Sequence, residues 1–277
     1  SDLAGKFGGA GLLLQNPISA ELDAMRPSIL PNLLLAAKNN AARGFPDLGL
    51  FEIGPVYRSA EPDGQSLQAA GLRAGLVQPR HWSGKERAAD VFDAKADAMA
   101  ALEAAGVPPS SLQTAREAAG WYHPGRSGVL KQGTLTFAQF GEIHPAILQK
   151  LDIRGPVAAF EVFLDALPAL KASGPARSLL NLPDLQPVRR DFAFILDEAV
   201  EAEKLVRAVK NAGRELISDV TVFDVYVGEG VPKGQKSLAV EVRLQPREKT
   251  LTEAELDALS DKITAAANKA TGAVLRG

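Results

Sequence analysis

The sequence predicts an α+β protein with two parts, an antiparallel sheet flanked by helices and then a ferredoxin-like βαββαβ unit. Three observations lead there. From Pro187 onward the apolar residues recur at period two, then 3.6, then two, two, 3.6 and two again. That is the order strand, helix, strand, strand, helix, strand. Before Pro168, strand-like and helix-like stretches mix without a regular βα alternation, which favours an antiparallel sheet over a Rossmann-type one. Between the two, Pro168–Pro187 carries four prolines and has the composition of an interdomain linker.

In chain order, residues 1–15 are rich in Gly and Leu and have no clear period. Asn16-Pro17-Ile18-Ser19 predicts a turn. Pro27–Arg43 predicts a helix, with Ser28 as its cap and Pro31 in its first turn. Leu48–Arg58 predicts a strand interrupted at Gly54-Pro55, and Ala70–Gln78 predicts a second strand. Asp90–Gly106 is an Ala-rich helix with Val91, Ala94, Ala98 and Leu102 on one side, ended by Val107-Pro108-Pro109. Thr134–Phe140 is a strand, His144-Pro145 opens a short helix to Leu151, and Val157–Leu164 is a further strand.

In the last part, Phe192, Phe194 and Leu196 alternate with Ala193, Ile195 and Asp197. Leu205, Val209, Ala212 and Leu216 fall on one helical face. Val220, Val222, Asp224 and Tyr226 alternate with Thr221, Phe223, Val225 and Val227, and the glycines of Gly228–Gly234 turn the chain back as a hairpin. Leu238, Val240, Val242 and Leu244 then face one side. Thr252 and Glu255 have capping-box spacing before a helix whose stripe is Leu256, Leu259, Ile263 and Ala267. This plan puts both helices on one face of the sheet and leaves the other face open.

Composition narrows the function. An apolar content of 46 % excludes general disorder, and no apolar run is long enough to cross a bilayer. The absence of cysteine excludes disulfides, thiolate zinc sites and cysteine nucleophiles, and suits a reducing cytoplasm. The first residues lack the pattern of a signal peptide, and the missing initiator Met leads us to expect a fragment. Net charge is −2, and residues 181–277 hold 14 Lys and Arg against 16 Asp and Glu. A general nucleic-acid wrapper is basic, so any RNA contact here is expected to be small and local.

Catalytic and metal chemistry find little support. Glu52, Glu142 and Glu161 sit in strand patterns beside apolar residues, where metal or substrate binding competes with a carboxylate at a strand end or paired to Arg. His81, His123 and His144 come from three loops without i, i+4 spacing, which argues against a zinc triad. Gly228–Lys236 holds Lys236-Ser237 but runs into a strand, so it lacks the helix N-terminus of a phosphate loop. No GxSxG elbow is present.

The strings PVRRDFAF, VFDVYVGEGVPKGQKSLAVEVRLQ and KTLTEAEL with GAVLR resemble the ferredoxin-fold anticodon-binding domain of the bacterial phenylalanyl-tRNA synthetase β-subunit family. NPISAELDAMRPSILPNLLLAAKNNAAR, LFEIGPVYR, HPGRSGVL and GEIHPAILQKLDI resemble its class II synthetase-like domain. The resemblance implies a degenerate, non-catalytic synthetase-like domain at 1–175, a linker at 176–182 and an anticodon-binding domain at 183–277. LFEIGPVYR lacks an Arg shortly before Glu52, and no Gly-rich third motif ending in Arg follows, so no residue of the chain is expected to be catalytic. It further implies a cytoplasmic α2β2 ligase, whose α-subunit and phenylalanine tRNA are the partners. ATP and magnesium would be used by that holoenzyme and not bound by this chain, and neither a metal nor a membrane is expected here. The competing reading is a protein–protein scaffold without RNA contact.

An RRM shares the βαββαβ order, but LAVEVRL lacks the aromatics on which an RRM stacks bases. The expected RNA contacts are therefore Arg190 and Asp191 on the first strand, Phe223 and Tyr226 on the second, and Ser237 and Arg243 on the third, with Lys233 and Lys236 at the hairpin for phosphates. Each has a plainer alternative: Phe223 in the core, Arg190–Asp191 as an ion pair, Arg243–Glu241 as a solvated face.

Overall fold

A computed structural model describes residues 2–9, 12–20, 22–169, 179 and 182–276. The chain divides into two compact units, Ser1–Ala172 and Ser173–Gly277. The expected linker at 176–182 lies, apart from Leu179 and Leu182, outside the described residues.

The first unit runs α1 (Asp2–Lys6), α2 (Leu30–Ala42), β1 (Leu48–Tyr57), β2 (Gln65–Ala74), β3 (Leu76–Gln78), β4 (Arg87–Ala88), α3 (Val91–Ala104), β5 (Gln113–Ala115), β6 (Tyr122–Gln132), β7 (Leu135–Ile143), α4 (Pro145–Lys150) and β8 (Val157–Phe163). Six strands form one antiparallel sheet in the order β1-β2-β8-β7-β6-β5, and β3 with β4 makes a small hairpin. Both faces of the large sheet are covered. On β8, Val157 and Ala159 join the core beneath α2, while Ala158, Phe160 and Val162 join the core beneath α3. Such a strand reads as a continuous apolar run because neither face meets water.

Four local expectations are corrected here. β1 is not interrupted at Gly54-Pro55: its pairing with β2 is continuous from Leu48↔Ala74 to Tyr57↔Gln65. β1 is an edge strand, and one row of its N–H groups has no ladder partner, so Pro55 is tolerated. The strand expected at Ala70–Gln78 is two strands, parted at Gly75 with φ of 73°. Residues 123–126, which hold the His123 expected in a loop, lie within β6. Pairing jumps there from Tyr122↔Ile143 to Ser127↔Gly141, so the segment bulges out of the ladder. Helix α2 begins at Leu30, and Ser28 does not cap it in the expected way. Its Oγ accepts from the Leu30 N–H (3.1 Å) and donates to Glu161 Oε1 (2.5 Å).

The second unit runs β9 (Val188–Asp197), α5 (Ala202–Ala212), β10 (Ile217–Tyr226), β11 (Gln235–Leu244), α6 (Glu253–Thr271) and β12 (Val274–Leu275). Its antiparallel sheet has the order β10-β11-β9-β12, the expected ferredoxin-like βαββαβ plan. Phe194, Leu196, Leu238, Val240 and Val242 are buried against Leu205 and Val209 of α5 and Ile263 and Ala267 of α6. The Thr252–Glu255 capping box is present, with the Thr252 N–H donating to Glu255 Oε2 at 2.9 Å. Leu216 falls outside α5, which ends before Gly213, but still packs on this core. No helix among the described residues is long and apolar enough to cross a membrane.

Candidate nucleic-acid interface

In an antiparallel sheet, directly paired residues share a face. In the second unit, the even-numbered residues of β11 from Leu238 to Leu244 are buried on the helix side. The odd-numbered ones and their partners therefore define the opposite face, which no helix of this unit covers among the described residues. It reads in four rows: Asp219, Arg243 and Arg189; Thr221, Glu241 and Asp191; Asp224, Ala239 and Ala193; Tyr226, Ser237, Ile195 and Val274. Charge gathers at one end, small and aromatic groups at the other.

A bulge makes this arrangement. Pairing on β10 skips from Val222↔Val240 to Asp224↔Ala239, leaving Phe223 unpaired. Before the bulge, Val220 and Val222 face the helices. After it, Asp224 and Tyr226 face away from them, whereas an unbroken period of two would have kept all four on one side. Phe223 is not core; it stands 58 % exposed on the edge strand.

Of the eight sequence-predicted residues, Asp191, Tyr226, Ser237 and Arg243 lie on this side of the sheet, but Ser237 is only 5 % exposed, so its hydroxyl is covered rather than offered to a base. Arg190 does not: it pairs with buried Val242 and so belongs to the helix side, where it is exposed at the strand end. Lys236 does not reach this face either. It pairs with Leu196, and its Nζ donates to the carbonyls of Val200 (2.6 Å) and Glu198 (3.0 Å). Lys233 is exposed in the β10–β11 loop. Arg190 and Asp191 form no ion pair. Glu241 is met by Arg189 at 3.5 Å, not by Arg243, and Arg243 has no side-chain partner among the described residues.

Two residues of the face escaped sequence reasoning. Arg189 lies beside Arg243 in the first row. Arg276 follows β12, donates its backbone N–H to the Ala193 carbonyl at 2.7 Å, and carries its guanidinium 5.8 Å from the centre of the Tyr226 ring. That is cation–π range. Nothing local marks Arg276; only the placement of β12 beside β9 brings it near. Gly228 leaves room for the Tyr226 ring, since a Cβ there would stand 2.6 Å from the phenol oxygen.

The three strand glutamates of the first unit are all engaged. Glu52 meets Arg26 at 2.5 Å and Glu142 meets Arg126 at 2.7 Å. Glu161 is fully buried and takes five neutral donors: Ser28 Oγ (2.5 Å) and Gln68 Nε2 (3.1 Å) on Oε1, and Trp121 Nε1 (3.0 Å), Tyr122 OH (3.0 Å) and Gln139 Nε2 (2.7 Å) on Oε2. Burial raises its pKa, and the hydrogen bonds from Ser28, Trp121, Tyr122 and Gln139 pull against that rise. Burial, then the Glu161 charge, pushes the Tyr122 phenol well above its usual range. Each histidine ring is committed locally. His81 contacts Gln78 and Ser83, His123 Nδ1 accepts from the Gly125 N–H, and His144 Nδ1 accepts from the Ala146 N–H.

Comparison with known proteins agrees with this architecture. Residues 7–164 match the family model described as the phenylalanyl tRNA synthetase beta chain CLM domain, and residues 183–276 match the ferredoxin-fold anticodon binding domain. Among curated relatives, a phenylalanine–tRNA ligase beta subunit of Paramagnetospirillum magneticum is 56 % identical over 98 % of this chain and 34 % of its own length. That of Rhodospirillum rubrum is 52 % identical over the same shares. That of Cereibacter sphaeroides is 48 % identical, again over 98 % and 34 %. With both matches falling on the two units and the chain spanning about a third of the length of these relatives, it belongs to the phenylalanine–tRNA ligase β-subunit family.

Proposed function

We propose that this chain serves the ATP-dependent charging of tRNA with phenylalanine as part of a ligase β-subunit. The second unit binds the anticodon end of the tRNA, and the first contributes to assembly with an α-subunit in a cytoplasmic α2β2 enzyme. The observation that carries this reading is the open sheet face, where Arg243, Arg189 and Asp191 gather at one end and Tyr226 with Arg276 at the other, without a covering helix. Arg and Asp can pair with base edges, and the Tyr ring offers a stacking surface. A few contacts of about 1–3 kcal/mol each suffice for base selectivity on a surface that is not basic overall. The relatives' domain name supports the assignment.

The reacting groups, ATP and magnesium belong elsewhere in the enzyme on this reading. The three strand glutamates weighed for a metal are already engaged, Glu52 and Glu142 by arginines and Glu161 by its five donors. Asp191, Tyr226 and Arg243 are the base-facing set, joined by Arg276, while Lys233 meets phosphate.

The test uses the assembled ligase, with Arg243→Ala or Tyr226→Ala in the β-subunit. It is offered phenylalanine tRNA, the same tRNA with a changed anticodon, and an acceptor-stem minihelix that lacks the anticodon. Each substitution is expected to raise KM for the tRNA by about tenfold, the scale of one base contact. Discrimination between the anticodons should shrink, and minihelix charging should be unchanged. Equal effects on tRNA and minihelix would overturn the assignment. Unchanged tRNA kinetics with weakened assembly would favour the scaffold reading.

A further inference from the structure

Among the described residues, Glu161 is the only buried charged side chain. A carboxylate in such a place ordinarily takes an Arg or Lys. Here its five partners are all neutral. Ser28 Oγ and Gln68 Nε2 meet one oxygen, and Trp121 Nε1, Tyr122 OH and Gln139 Nε2 meet the other. Together they saturate a planar two-oxygen anion.

The donors are aimed by bonds that do not involve Glu161. Gln68 Oε1 accepts from the Ile29 N–H at 3.3 Å, and Gln139 Oε1 accepts from the Ala119 N–H at 3.2 Å. With each amide oxygen tied to the backbone, each amide nitrogen is left pointing at the carboxylate. Ser28 Oγ accepts from the Leu30 N–H at 3.1 Å. The Trp121 ring rests on Phe7, with centroids 5.6 Å apart. Donors ordered in advance, on separate segments of the chain, are the makings of a binding site, because the ordering cost of binding has already been met. Only the stem of Glu161 ties the anion to the chain.

We infer that these donors form a carboxylate-binding cage, filled by the chain's own Glu161 in the place where a small free carboxylate would bind. The ligand class is a short, unbranched carboxylate. Cutting the side chain back to Cβ removes a CH2 and a carboxylate, which together have the shape of acetate. A tetrahedral oxyanion would bring further oxygens for which the cage has no donors. Self-occupancy keeps a substrate carboxylate out of the centre of the first unit. Trp121, the one half-buried member of the cage, marks the side from which a solute enters.

The experiment melts the intact chain carrying Glu161→Ala at neutral pH in acetate, acetamide or chloride at matched ionic strength. Binding of carbon-13 acetate is followed by NMR. Acetate should raise the melting temperature toward that of wild type and bind at least about tenfold tighter than acetamide, whose NH2 would face fixed donors. Wild type should bind neither. Adding Gln139→Leu, or Ser28→Ala if that double variant does not fold, should weaken acetate binding by about tenfold. Equal stabilisation by acetate and acetamide would overturn the inference, since it would show only a cavity being filled. Equal stabilisation of wild type and variant by acetate would overturn it as a general salt effect. If Glu161→Ala does not fold in chloride, refolding in acetate alone supports the cage, and refolding in neither overturns it.

Discussion

Replacing Glu161 with Gln tests whether the first unit is built around a carboxylate. The substitution keeps the shape and exchanges one acceptor oxygen for an NH2 group. Placed at the Oε2 position, that group would face Trp121 Nε1 and Gln139 Nε2, neither of which can turn away. Placed at Oε1, it meets Ser28 Oγ and Gln68 Nε2. The Ser28 hydroxyl can rotate and accept. The Gln68 amide cannot flip freely, because its Oε1 accepts from the Ile29 N–H at 3.3 Å. The less costly arrangement therefore leaves one buried N–H facing another donor, at about 2 kcal/mol. For a unit of this size that lowers the melting temperature by roughly 4–8 °C. Glu161→Ala strands three fixed N–H donors and opens a cavity, and should cost about 4 kcal/mol or more. Calorimetry at neutral pH measures both, with near-ultraviolet dichroism of Trp121 as the local probe. A Glu161→Gln protein that melts at or above the wild-type temperature would refute the reasoning, since it would show that a proton already sits on Glu161.

Other outcomes follow from single contacts. Gly71→Ala places a Cβ 2.6 Å from the Phe160 ring and 3.1 Å from the Leu50 carbonyl, and should destabilise the first unit by about 1–3 kcal/mol in a urea melt. Thr252→Ala removes the α6 cap and should cost the second unit about 1 kcal/mol, with tRNA binding unchanged. Lys249, then Thr252, hold the Glu255 carboxyl at about 2. Its stabilising contribution is therefore complete above the ordinary value of 4.5 and lost as pH falls toward 2, and an acid melt of Glu255→Gln should lack that leg. Lys233→Ala should reduce the salt slope of tRNA binding by about one unit. Lys236→Ala should leave that slope alone and instead loosen the loop at Glu198–Val200, read by hydrogen exchange.

The ferredoxin-like order was legible because its strands alternate and its helices carry clean apolar stripes, as at Phe192-Phe194-Leu196 and Leu256-Leu259-Ile263. What escaped were features set by pairing rather than period. Tyr122–Gln132 concealed a strand because Pro124 and Gly125 bulge out of it. Pro55 suggested an interruption that an edge position makes unnecessary. The open face was only half legible. Asp191, Ser237 and Arg243 follow from simple alternation, and Arg190 could have been excluded by the same rule. Tyr226 reaches the face only through the bulge at Phe223. Arg276 reaches it only through an edge strand of two residues, too short to leave a pattern. Glu161 looked like any strand carboxylate, since its five donors come from four separate segments of the chain.

The bulge at Phe223 also bears on how this surface can change over generations. Upstream of it, a substitution at Val220 or Val222 is judged by the packing of the helices. Downstream, Asp224 and Tyr226 answer to solvent and to whatever binds. One inserted residue thus separates two selective regimes along a single strand. A lineage can retune the far end of β10 without repacking the core, and deletion of Phe223 should abolish that freedom by forcing both regimes onto the same side chains.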